Sequence, residues 1–209
     1  MYIPPSFATN NYDEIFDFVK AHPFGILVSS DDKKPAATHI PFVLQRAGDD
    51  TCVLKSHFAK ANPQNTLEDG QEVMVIFHGP HAYISPSLYD HPVNVPTWNY
   101  IAVHVYGRIR FIKEENEVKA HLEELIDYLE PAYKNQWETL PEKYISALMG
   151  ELSSFRVEST DIQAVFKLNQ NKSAESRRNI VGHLSASGDS MESETGEYMA
   201  KRLKPDQEK

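Results

Sequence analysis

One cysteine, Cys52, is all the sulfhydryl chemistry this chain of 209 residues possesses. A single thiol cannot close an internal disulfide, and its setting in the apolar run TCVLKS marks it as a buried strand residue in a reducing compartment rather than a redox centre. Long apolar runs are missing too. Nowhere do 18 consecutive apolar residues occur, and the start, MYIPPSFATNN, has no basic segment leading into an apolar one, so a membrane span and a secretory leader are not expected and the cytoplasm is the expected location. Positive charge is scarce: 21 basic residues face 30 acidic ones, a net charge of −9, which argues against a protein held mainly by nucleic-acid phosphates. The one dense basic stretch, Lys167 to Arg178, reads first as a helix start bearing solvated side chains. Also absent are G-x-G-x-x-G, a Walker-type loop, G-x-S-x-G, H-E-x-x-H, a helix-turn-helix and any internal repeat, which removes the common nucleotide, serine-hydrolase and zinc-protease readings.

What remains is ordinary for a globular protein, with 41% hydrophobic and 24% charged residues. Ile15, Phe16, Phe18 and Val19 share one face of a helix expected over Tyr12 to Ala21, capped at Asn10 or Asn11 and stopped by Pro23. FGILVSS then reads as a buried strand, Asp31-Asp32-Lys33-Lys34-Pro35 as a turn, and AATHIPFVLQ as the return strand. Pro41 cannot donate to a ladder, so that strand should lie at an edge or a bulge there, or face something other than a strand. Thr51 to His57 and Gln71 to Phe77 continue the pattern. Val118, Leu122, Leu125, Ile126 and Leu129 predict a helix from Glu114 to Leu129, and further short helices should end at Gly150. Ser154 to Leu168 returns to strand.

Strands joined by short turns, without a βαβ rhythm, predict a mainly β fold: an antiparallel barrel with helices on its margins. Residues 1 to 186 read as one domain, and 187 to 209, poor in large apolar residues, as a weakly anchored tail compatible with a helix near Tyr198 to Leu203.

The richest stretch chemically is HGPHAYISPSLYDHPVNVPTWNYIAVHVYGRIRFI, from His78 to Ile112. It crowds histidines and aromatics around a loop made obligatory by Pro92 and Pro96. Gly107 marks a bulge or bend within its second strand. His78 and His81 are a candidate metal pair, although Gly79-Pro80 keeps them off a shared helical turn; no metal site is expected. Upstream, a strand ending in Ser56-His57 and passing Lys60 to an Asn62-Pro63 helix start offers hydroxyl, imidazole, ammonium and free backbone N–H groups to an anion. The same residues are equally compatible with an ordinary loop carrying one solvated lysine.

The segments GILVSS, ATHIPFVL, LKSHFAKANPQ, HGPHAYISPSLY, VPTWNYIAVHVYGRI and KLNQNKS, in that order, resemble the PaiB family of FMN-binding negative transcriptional regulators, within the FMN-binding split barrels. The resemblance runs to about Leu184. It implies a six-stranded antiparallel Greek-key split barrel with flanking helices, a homodimer, and FMN bound in grooves between subunits. It also implies repression linked to sporulation and protease synthesis, with direct DNA binding or a transcriptional partner protein left open. On this pattern Ser56, His57, Lys60 and Asn62 would meet the phosphate, while His39, Pro41 and Phe42 would wall the flavin ring. Tyr83, Thr97, Trp98 and Asn99 would complete the pocket, partly from the second subunit, and Lys167 and Gln170 would reach in from the last strand; none of these is expected to be catalytic. Two alternatives stand beside the regulator: an FMN-dependent oxidoreductase acting on a small molecule, and a haem-binding or haem-degrading split barrel with His183 as the axial-ligand candidate.

Overall fold

Alternation at a spacing of two dictates most of this structure, a computed structural model that describes residues 1–30 and 34–203. Most of the turn expected at Asp31-Asp32-Lys33 falls outside the described residues. Strand β1 (Phe24–Ser30) and strand β4 (Cys52–Ala59) bury every second side chain, as strands with one face on a core must. In β4 the inward set is Cys52, Leu54, Ser56 and Phe58, and the outward set is Val53, Lys55 and His57.

Among the described residues seven strands form one sheet, ordered β2-β1-β5-β6-β7-β4-β3. The other strands are β2 (Pro35–Pro41), β3 (Val43–Arg46), β5 (Glu72–Ile84), β6 (Thr97–Ile112) and β7 (Leu152–Lys167). The expected count of six is corrected to seven because AATHIPFVLQ is two strands. β2 pairs antiparallel with β1, from Phe24↔Pro41 to Ser30↔Pro35, and β3 pairs antiparallel with β4, from Val43↔Lys55 to Arg46↔Cys52. Phe42 is the sole residue between them. Pro41 has no N–H to extend the β1 ladder, and the Phe42 N–H turns to the Pro23 carbonyl at 2.8 Å, so the chain changes partners at this point.

The chain falls into two compact units, one comprising Met1–Asn11, His78–Val103 and Ala164–Lys209, the other Tyr12–Phe77 and His104–Gln163. Strands β5, β6 and β7 each contribute a stretch to both.

In the second unit, β2 and β3 lie at opposite ends of the strand order yet are consecutive in the chain, which requires the sheet to curl. The seam is sewn by side chains. Ser56 Oγ donates to the Pro41 carbonyl (2.6 Å), Asn62 Nδ2 to Thr38 Oγ1 (2.9 Å), and Gln64 Nε2 to Ser29 Oγ (2.8 Å). Phe42, fully buried, packs edge-on against Phe77 and Phe155, with centroids 5.7 and 6.4 Å apart. Helix α1 (Tyr12–Ala21) buries Ile15, Phe16, Phe18 and Val19. Helices α2 (Glu115–Leu129), α3 (Lys134–Trp137) and α4 (Glu142–Gly150) share a small core of Val118, Leu122, Trp137, Ile145 and Met149. Each such side chain, fully buried, is worth about 1.5–3 kcal/mol.

In the first unit, α5 (Ala174–Ser185) is capped by Ser173 and α6 (Ser190–Ala200) by Asp189, whose carboxylate accepts the Met191 and Glu192 N–H groups. The tail expected to be weakly anchored is corrected here: Thr195 and Met199 of α6 are buried, and the Arg202 guanidinium lies 4.8 Å from the Phe166 ring centroid. Gly196 permits the close approach, since a Cβ there would stand 3.1 Å from Leu184. No helix among the described residues is long and apolar enough to cross a membrane.

Gly107 sits inside an unbroken β6 and serves close backbone approach: a Cβ would stand 2.4 Å from the Glu158 carbonyl oxygen and 2.7 Å from Val157 Cγ1. Gly107→Ala is expected to destabilise the protein by about 1–3 kcal/mol, the ordinary cost of overpacking. Urea denaturation measures it, and an unchanged midpoint would contradict the close contact.

Candidate functional site

A cleft of about 610 Å³ opens in the second unit where β4 and β6 end and β7 begins. Its position follows from local sequence. Asn62 Oδ1 accepts the Gln64 N–H (2.9 Å) and, with Pro63, starts a short 3-10 turn, Pro63–Thr66, that carries Asn65 to the rim. Asp69 accepts the Phe111 N–H (2.9 Å) and an Arg110 N–H (3.1 Å), which fixes the end of β6. Those bonds, the Phe111 N–H first, hold the Asp69 carboxyl below its ordinary pKa.

The walls are of two kinds. Leu67, Phe111, Val118, Met149 and Leu152 are apolar, and Lys60 and Lys113 supply two ammonium groups that form no ion pair among the described residues. Of the hydroxyls, Ser153 donates to Asn65 Oδ1 (2.6 Å) and Ser146 to Glu115 (3.0 Å), whereas Ser154 Oγ is buried without a partner. Two ammonium groups and an apolar wall lining one cleft suit a ligand with an anionic head and a flat apolar body. The volume falls in the range of about 300–1,000 Å³ usual for small-molecule sites.

Of the four residues expected around a phosphate, Lys60 lines this cleft. Ser56 and His57 are neighbours on a strand, so their side chains leave opposite faces and cannot grip one phosphate together. Ser56 points inward and is committed to Pro41. His57 points outward, directly opposite Ser154 in the β4–β7 ladder, and burial lowers its pKa. Asn62 is occupied as a cap and a seam residue. Among the residues expected to wall a ring, Phe42 belongs to the core, Pro41 to the strand change, and His39 is exposed on β2 with its ring 6.5 Å from Phe24. Sequence reading missed Lys113, Phe111, Met149 and Ser154, which reach the cleft from stretches far apart in the chain.

The first unit gathers the other expected residues onto a different surface. Trp98 and Tyr83 are about half exposed, their ring centroids 6.0 Å apart, and the His81 ring lies 5.9 Å from Trp98. Lys167 donates to Thr97 Oγ1 (2.6 Å) with its ammonium 6.0 Å from the Tyr100 ring, and burial lowers its pKa. Asn99 alternates to the other face, fully buried, with its amide nitrogen on Met199 Sδ at 3.2 Å. Gln170 folds back on its own strand end, accepting the Leu168 N–H (2.8 Å) and donating to the Phe166 carbonyl. The Asn99 amide nitrogen and the Gln170 side chain are thus engaged within the chain, while Asn99 Oδ1 is buried without a hydrogen-bond partner among the described residues.

The motif KLNQNKS serves here as a clamp. Asn169, at φ 57°, donates to Tyr89 Oη, Lys172 donates to Asn94 Oδ1 (2.6 Å) over the Tyr89 ring, and Asp90 accepts from the Ser173 and Ser176 hydroxyls. The His78 and His81 rings are 5.0 Å apart, and no group of three or more metal-binding side chains occurs among the described residues. Cys52 is buried, and that burial pushes its thiol pKa up to about 11, so it carries no thiolate near neutrality.

The family model described as "Putative FMN-binding domain" matches residues 1–161. Protease synthase and sporulation protein PAI 2 of Bacillus subtilis is 37% identical over 207 residues, covering 98% of this chain and 99% of that protein. An uncharacterized protein of Aspergillus fumigatus is 29% identical over 257 residues, covering 98% and 97%. Among solved structures, the flavocytochrome Anf3 from Azotobacter vinelandii superposes with a TM-score of 0.61 at 16% identity, covering 77% of this chain and 69% of that one. The FAD and haem binding protein from Mycobacterium smegmatis gives 0.59 at 15%, covering 77% and 73%. At these identities the structures establish the shared fold.

The hydroxyls of Ser173 and then Ser176 hold the Asp90 carboxyl below its ordinary pKa. With the folded value depressed, the clamp is intact above the ordinary carboxylate pKa and is lost as pH falls through the folded one. Asp90→Asn is expected to raise amide exchange in the first turn of α5 several-fold at neutral pH; protection equal to that of the parent protein would contradict the clamp.

Proposed function

Because this chain belongs to the PaiB family of FMN-binding split barrels, we propose that the cleft of the second unit holds FMN and that the protein is a flavin-binding regulator. The observation that carries the reading is that Lys60 and Lys113 line the same cleft as Phe111 and Met149. The two ammonium groups would take the phosphate, with Asn65 beside them, and the apolar side chains would cover the ring and keep water from it. When bound, FMN supplies reversible electron acceptance.

The regulatory part rests on likeness along almost the whole chain to a protein whose name joins protease synthesis to sporulation. Action through a partner protein is favoured over direct DNA binding. Of the four basic residues between positions 167 and 178, Lys167 is tied to Thr97, Lys172 to Asn94, and Arg177 to the Arg202 carbonyl (2.6 Å). A homodimer is part of the proposal. The exposed Trp98 and Tyr83, with Val93 and Val95 also exposed, form an apolar surface suited to a second copy.

Titration with FMN, followed by quenching of flavin fluorescence, tests the site. Lys60→Ala and Lys113→Ala are each expected to weaken FMN by about 10-fold or more, the worth of one charge-assisted hydrogen bond. Riboflavin, which lacks the phosphate, should lose little. FMN affinity unchanged in both variants would overturn the assignment. For the regulatory mode, no sequence-specific mobility shift is expected even at low salt, where phosphate attraction is strongest; a specific shift would establish direct operator binding instead.

A further inference from the structure

Among the described residues of the second unit six buried side-chain polar atoms lack a hydrogen-bond partner; Gln64 Oε1 and His104 Nδ1 stand by themselves, and the other four are His57 Nδ1, Nδ1 and Nε2 of His121, and Ser154 Oγ. His57 and Ser154 are opposed across the β4–β7 ladder, and α2 carries His121 close enough for the two imidazoles to repel when charged. His121 is 2% exposed. Orphaned polar atoms of this kind are costly, and their concentration at one helix–sheet contact makes that contact the weak point of α2's docking.

The charges around the His121 ring come from β4 and from α2 itself. Lys55 stands on the same face of β4 as His57, and Glu124 lies one turn along α2. Glu124 is already engaged, its two carboxylate oxygens 2.9 and 2.6 Å from Lys55 Nζ. On β7 the same face carries Arg156, bonded to Glu158 (3.0 Å). Further charged groups near α2 are Lys134 of α3, paired with Asp127, Arg46 of β3, paired with Asp13, and Glu115, which accepts from Ser146 of α4. A proton on His121 would therefore meet two cationic neighbours, His57 and Lys55, against one carboxylate, Glu124, that is shared with Lys55.

Val118, one turn before His121, and Glu115 both line the cleft, so α2 cannot leave β4 without removing a wall of it. We infer that His121 and His57 form a proton-operated latch: their protonation in mildly acidic solution releases α2 from β4 and opens the cleft, discharging the ligand held there. The ligand is FMN on the reading given above, on which this part of the inference rests.

Burial first, then His57 and Lys55, lowers the His121 pKa to about 4, and burial lowers that of His57. A base whose pKa is depressed in the docked state binds fewer protons there than when released. Docking is thus at full strength above the ordinary histidine pKa of about 6.5 and weakens as pH falls from there toward about 4.

In the full-length Trp98→Phe protein without flavin, Trp137 reports the latch, because it is buried and its indole N–H donates to Glu123 of α2 at 3.2 Å. Its emission is expected to shift to the red with a midpoint between about pH 6.5 and 4, and His121→Gln, which carries no titrating group, should abolish the shift. His57→Gln should diminish it, and serves alone if the other variant does not fold. In parallel, FMN affinity should drop by about 10-fold between pH 7.5 and 5 in the parent protein and by less than about 3-fold in the variants. The flavin's own phosphate titrates alike in all three and cancels. Emission that stays flat through this range, or a shift that persists unaltered in both variants, would overturn the latch. An emission shift behaving as expected, in a protein that binds FMN at neither pH, would support the latch and overturn the flavin reading.

Discussion

The hydrogen bond from Ser56 to the carbonyl of Pro41 marks the constraint on which the second unit depends. A single residue, Phe42, separates two strands at opposite ends of a seven-stranded order, and no backbone ladder can hold such a seam because Pro41 has no N–H to give. Side chains hold it instead, those of Ser56, Asn62 and Gln64. A buried bond of this sort contributes about 1 kcal/mol net, but leaving its acceptor orphaned costs about 1–3 kcal/mol, so the seam is sturdier than the net value suggests.

Strand alternation then fixes the rest. With Ser56 turned inward to the seam, His57 and Lys55 must turn outward, where they meet α2, and the strand's exit delivers Lys60 to the rim. One register decision therefore ties β4 to the end of β2, docks a helix and places a cation. The helix so docked carries Val118 and Glu115 into the wall of the cleft, which ties the cleft's integrity to the charge state of a buried histidine pair.

Much of this was legible beforehand. The periodicity of FGILVSS and TCVLKS, the helix from Tyr12 to Ala21, and the anomaly at Pro41 were all visible, because each is a local pattern. The division at Phe42 was not, since a change of strand partner leaves no trace in hydrophobic spacing beyond the proline itself. Ser56 and His57 illustrate a second limit: both types suit a phosphate, but adjacency on a strand sends them to opposite faces. Lys113, Ser154 and His121 were missed because tertiary folding alone brings them together. The tail's helical character was visible near Tyr198 to Leu203, but the start of α6 at Ser190 and its anchoring were not, because Thr195 and Gly196 pack through smallness rather than through large apolar side chains. Conversely, VPTWNY and KLNQNKS were the most distinctive stretches, and in the first unit much of their polar content is spent on holding the loop around Tyr89 to Asn94.

The account stands or falls on where the flavin goes. A crystal structure of the protein with FMN should show the phosphate within hydrogen-bonding reach of the Lys60 and Lys113 ammonium groups, and the ring against Phe111 and Met149. Flavin found on the Trp98–Tyr83 surface, with the Lys60 cleft unliganded, would contradict it.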